Sequence, residues 1–130
     1  KKYEISNKVR FIGRVNQIQM INHMNNNNIV ISASKSDAGL ASSIGEAMSC
    51  EKVVLASSTG AENHLWIKDG VNGFLFDCNS KDDLTRKIQY CINNKSRLKK
   101  IGKEARKIIL DKYDFNTEMG KVVDIYNSFN

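Results

Sequence analysis

Four short apolar runs, at residues 9–12 (VRFI), 29–33 (IVISA), 53–56 (VVLA) and 73–76 (GFLF), are separated by helical or helix-compatible stretches. Strand and helix in alternation imply βαβ units, a parallel sheet and right-handed crossovers. The runs are short and apolar on both sides, which suits strands covered on both faces. These features predict a doubly wound α/β sheet of about four parallel strands.

The helical pieces can be placed by their spacing. Ile18, Ile21 and Met24 share one face of residues 17–24 (QIQMINHM). After Phe76 the pattern becomes purely helical, with apolar residues at helical spacing over residues 82–92, 97–110 and 116–129. Asn93-Asn94 and Tyr113-Asp114 separate these three helices. Asp69-Gly70 and Asn72-Gly73 are turn signals that predict a tight entry into the last strand. The expected organisation is a single domain over residues 1–130, whose residues 81–130 form a helical C-terminal segment.

No apolar run approaches the ~20 residues that a membrane-crossing helix needs. The opening KKYEISNKVR lacks the apolar core of a signal peptide, so the expected location is the cytoplasm. Cys50, Cys78 and Cys91 are too few and too scattered for a disulfide framework or a spaced zinc site, and are expected as buried or half-buried thiols. No metal site is expected. The formal charge of +6 is concentrated in the C-terminal helices, on solvent faces without interleaved aromatics. That distribution fits a solvated face first, an anionic membrane surface second, and gives no support to nucleic acid as a partner.

The segment SKSDAGLASSIGEAMSC (residues 34–50) carries the chemistry. A strand that leads into a loop of small residues and then a helix presents backbone amides to a phosphate. With a helix starting near Ala41 or Ser42, the first-turn amides point into the crevice above the sheet, and Ser42 and Ser43 either cap that turn or lend hydroxyls to an anion. Asp37 precedes the loop. Glu46 follows Ser42 by one turn on the same face, where its carboxylate either accepts from ribose or sugar hydroxyls or joins Ser42 in a local cap. Gly39 lets a ligand approach the backbone, and Gly45 inside the helix implies close packing against the sheet or a ligand. Ala47 and Met48 are core positions. Arg14, after Gly13 at the expected end of the first strand, is placed to meet a base or phosphate. His23 and His64 have no partner at ligand spacing, and Trp66 reads as packing.

The ordered set SASKSD, AGLASSIG, EAMSC and KVVLAS resembles the donor-binding segment of family four, group 1, GT-B glycosyltransferases. The likeness extends back to VRFIGRV and forward through Asn63, Trp66-Ile67 and DGVNGFLF, so it covers most of the chain before the final helices. It implies a Rossmann-like fold, part of a GT-B C-terminal domain, that binds a nucleotide sugar such as a UDP- or GDP-sugar as substrate, with no cofactor. By resemblance, Glu46 binds the ribose, the loop of Gly39, Leu40, Ala41, Ser42 and Ser43 reaches the diphosphate and sugar, and Gly13 and Arg14 lie against the nucleobase. The family's spacing, counted back from Glu46, falls on Ala38, one place from Asp37, and Leu65 stands where the family tends to carry a glutamate.

The resemblance further implies a parent transferase that moves a hexose or related sugar onto a polysaccharide or glycoconjugate. An earlier glycine-rich strand and an N-terminal acceptor domain would precede this segment, which by itself is expected to turn over little. No residue is assigned to catalysis. The alternative function is a non-catalytic α/β interaction module whose basic helices meet an anionic membrane, at its inner face, or an anionic partner.

Overall fold

The computed structural model describes residues 5–35, 40–58 and 62–129. Three parallel strands, β1 (Ile29–Ser32), β2 (Val53–Ser57) and β3 (Phe74–Phe76), form one sheet in the order β1-β2-β3. Ile29 pairs with Val53 and Ser32 with Ala56, while Leu55 pairs with Phe74 and Ser57 with Phe76. The central strand is buried along its whole length. Its side chains alternate between the faces. Val54 and Ala56 enter one core with Ile44, Met48 and Ala105, and Val53 and Leu55 enter the other with Phe74, Cys91 and Ile101.

The helices are α1 (Gln17–Asn26), α2 (Ser42–Ser49), the single turn α3 (Asn63–Trp66), α4 (Lys81–Asn93), α5 (Lys95–Tyr113) and α6 (Phe115–Asn127). Their positions follow the expected spacing, and α3 is an addition to it. α1 begins with a capping box in which the Asn16 side chain accepts from the Gln19 amide and the Gln19 side chain accepts from the Asn16 amide. Ser80 caps α4 and Asp114 caps α6, each by accepting an amide hydrogen bond three residues on.

The first expected strand does not form: residues 9–12 make no ladder, so the sheet has three strands rather than about four. A strand is held by paired backbone groups and a buried face. Val9, Phe11 and Ile12 have neither, and Phe11 is 95% exposed. Arg14 consequently does not sit at a strand's carboxyl end.

The turn signals act as read. Asn72, almost fully buried, accepts from the Lys68 amide at 2.7 Å and donates to the Trp66 carbonyl at 2.9 Å. Asp69 accepts from the Leu75 amide and from Lys87 Nζ, tying the entry of β3 to α4. α2 ends in a Schellman arrangement, in which the Lys52 amide donates to the Ala47 carbonyl and the Glu51 amide to that of Met48. Glu51 there adopts φ 58°, a conformation that favours glycine. Its carbonyl receives α5: a Cβ built on Gly102 would lie 2.0 Å from the Glu51 oxygen. Only glycine lets the two backbones touch.

Candidate functional site

α2 carries three buried residues, Ile44, Ala47 and Met48, at spacings of three and four. That stripe holds one face of the helix on the sheet and turns Ser42, Ser43 and Glu46 to solvent. The N-cap is Ala41, whose carbonyl accepts from the Ile44 and Gly45 amides, and no side chain caps the helix. The capping alternative for Ser42 and Glu46 is therefore not used. The first turn keeps its uncapped amides at the carboxyl end of β1, where the positive end of the helix dipole favours an anion.

A cavity of about 780 Å³ opens beside this helix. Leu40, Ala41, Ser42 and Glu46 line it, as does Val15, the neighbour of Gly13 and Arg14. Gly13 has φ 63°, a turn conformation that carries the chain from residue 12 toward α1 and brings Val15 to the wall. Gly13, Arg14 and Ser43 are exposed and lie outside the lining. Asp37 and Gly39 lie outside the described residues. Gly45 lines the cavity, and a Cβ there would meet only Leu40 Cδ2 at 3.5 Å, so its place is set by the cavity wall and not by tight packing on the sheet.

The remaining wall comes from residues the motif did not single out: Asn16 and Gln17 at the head of α1, Met20 and Met24 along it, and Ile109 and Tyr113 near the end of α5. The sequence placed Ile18, Ile21 and Met24 on one face of α1; Ile21 and Met24 do line the cavity, with Met20, whereas Ile18 is exposed to solvent. The arrival of α5 was not visible, because it depends on Gly102 docking at Glu51. Tyr113 packs against Trp66 with ring centroids 4.5 Å apart and planes tilted by 42°, and Lys112 Nζ lies 5.1 Å from the Trp66 ring. Partial burial pushes the Tyr113 phenol up. Trp66 is thus a packing residue.

The two histidines occupy a half-buried and an exposed position, His23 and His64 respectively. Cys50 and Cys78 are half-buried and Cys91 is buried. Burial raises the Cys91 thiol and keeps it protonated.

The family model described as glycosyl transferases group 1 matches residues 1–108. An uncharacterized glycosyltransferase of Methanocaldococcus jannaschii is 29% identical over 122 residues, which take in 94% of this chain and 31% of the relative. The crystal structure of Anabaena HepE in complex with UDP-glucose superposes with a TM-score of 0.84 at 26% identity, over 95% of this chain and 33% of that one. The C-terminal domain of LpcC, a group 1 family glycosyl transferase of Francisella tularensis, superposes with a TM-score of 0.68 at 26% identity, over 82% of this chain and 53% of that one. The chain spans 31% of the length of its curated archaeal relative, so most of that protein has no counterpart in it.

Proposed function

Since the chain belongs to the group 1 glycosyl transferases, we propose that the cavity beside α2 is the nucleotide-sugar donor site of a transferase that moves a hexose or related sugar to a polysaccharide or glycoconjugate. The observation that carries this reading is the convergence of Val15, Ala41, Ser42 and Glu46 on one space of about 780 Å³. Anabaena HepE, which shares the fold, was crystallised with UDP-glucose.

In this reading the diphosphate lies at the first turn of α2, where uncapped amides and the helix dipole offset its charge. The exposed Glu46 carboxylate accepts from the ribose hydroxyls, one turn further along the same face. Val15, which lines the cavity next to Gly13 and Arg14, lies against the base. Transfer would take place in a cleft between this domain and an acceptor domain, so the 130-residue chain binds donor and turns over little.

Titration with UDP, GDP and their sugars, followed by amide chemical shifts, tests the site. UDP or GDP should move the amides of Val15, Ala41, Ser42 and Glu46. Glu46→Ala should weaken binding roughly tenfold to a hundredfold, since a hydrogen bond to a charged group contributes about 1.5–3 kcal/mol. Silence of all four amides at millimolar nucleotide would sink the donor-site reading.

A further inference from the structure

α5 carries eight basic residues (Lys95, Arg97, Lys99, Lys100, Lys103, Arg106, Lys107, Lys112) against two acidic ones (Glu104, Asp111), an excess equal to the formal charge of +6 of the whole chain. The rest of the chain sums to zero, with the basic excess of residues 1–16 offset by acidic excesses elsewhere. The ion pairs among the described residues are Arg86–Asp83, Lys87–Asp69 and Lys121–Glu118, so α4 and α6 neutralise their charges locally and α5 does not.

Some α5 cations have uses within the fold. Arg106 donates to the Ser49 carbonyl, Arg97 to the Tyr90 hydroxyl, and Lys112 lies over Trp66. Lys99, Lys103 and Lys107 have none of these roles. They recur every fourth residue on the exposed side, with Lys100 alongside, opposite the buried Ile101, Gly102 and Ala105. The row extends about 12 Å at 1.5 Å per residue. Like charges at that spacing weaken a helix. Glu104 and Asp111, four residues after Lys100 and Lys107, relieve part of that repulsion, and the positive excess that remains is suited to a surface of opposite charge.

We propose that the exposed face of α5 docks this domain on an anionic lipid bilayer. Lysines are compact, hydrated point charges that answer to the summed potential of a surface and not to one planar group. The row holds no aromatic side chain on which a base could stack, and its uncharged neighbour is the half-exposed Leu110, an apolar contact for the interfacial region. Lys99 and Lys95 also rim, with Lys52, a cavity of about 530 Å³ at the starts of β1 and β2. The basic face thus begins at the end of the sheet opposite Ser42.

Co-sedimentation with phosphatidylcholine vesicles, with and without phosphatidylglycerol, tests this on the intact chain. Binding should require the anionic lipid and weaken steeply with added salt. The triple variant K99Q/K103Q/K107Q should lower the partition coefficient roughly a hundredfold, because each basic residue near an anionic surface is worth about fivefold. Its far-ultraviolet circular dichroism should match the parent's, since all three side chains are exposed. Glu46→Ala should bind vesicles normally, which separates bilayer docking from donor binding. Equal sedimentation of the triple variant, no binding to anionic vesicles at low salt, or displacement from them by duplex DNA at equal charge would each overturn the proposal.

Discussion

α5 and α6 are consecutive amphipathic helices with opposite fates. α5 buries Ile101, Gly102 and Ala105 and reaches both cores, whereas α6 has no buried residue. On α6, Phe115 and Tyr126 are each 73% exposed, although Phe115, Met119, Val122 and Tyr126 repeat at spacings of four and three. Periodicity makes a helix with an apolar side. A covered helix also needs a surface whose backbone it can approach, and for α5 that surface is the Glu51 carbonyl beneath Gly102.

The sharpest way to break this contrast is Gly102→Ala. Its Cβ would lie 2.0 Å from the Glu51 oxygen, a backbone atom that cannot rotate away. The loss should exceed about 3 kcal/mol, the upper end for overpacking a core, and should appear as a large drop in the urea midpoint. A midpoint like the parent's would mean that α5 is not seated on α2's end. Ile101→Ala should cost about 2–4 kcal/mol, and Val122→Ala on α6 less than about 0.5, because the first removes packed methylenes and the second removes exposed ones. Matching losses in the two variants would erase the distinction between the helices.

The same contrast explains what the sequence could reveal. Three strands and every long helix were legible because burial on two faces, or on one stripe, leaves a local pattern. Residues 9–12 carry the pattern of a strand without the ladder, since their pairing is decided by another strand and not by their own side chains. Leu40, Ala41, Ser42 and Glu46 were legible as neighbours because they lie close together in sequence at and after the start of α2, and they line one cavity. Ile109 and Tyr113 were not, because their place at the cavity follows from a glycine contact that only three dimensions show. Of the two alternatives for Gly45, tight packing on the sheet is not used and a place on the cavity wall is, a choice that helical spacing does not distinguish.

Gly120→Ala repeats the Gly102 substitution on α6 and should have the opposite sign. Nothing lies within 4 Å of the added Cβ, so the helix gains the ~1 kcal/mol by which alanine exceeds glycine in a helix interior. Because α6 buries nothing, that gain should raise helicity and amide protection in α6 while the global urea midpoint moves little. A midpoint shift of the full ~1 kcal/mol would show instead that α6 unfolds together with the sheet.

The smallest effect separates the two helices by pH. Asp114 accepts from the Thr117 amide at 3.0 Å and from its hydroxyl at 2.9 Å, and these bonds, the amide first, hold its carboxyl below the ordinary aspartate value. A folded value lowered in this way contributes stability that is fully present above the unfolded value and is lost as pH falls through the folded one. α6 should therefore lose protection from below about pH 4 downward. α5, whose N-cap Asn94 makes no side-chain cap and carries no titrating group, has no matching loss at its start. Amide exchange read helix by helix between pH 6 and pH 3 would show α6 opening first, and Asp114→Asn, which keeps an acceptor but does not titrate, should flatten that dependence. If α5 and α6 instead open together in the parent and in Asp114→Asn alike, the acid response belongs to the sheet and not to the cap, and the two helices form one cooperative unit after all.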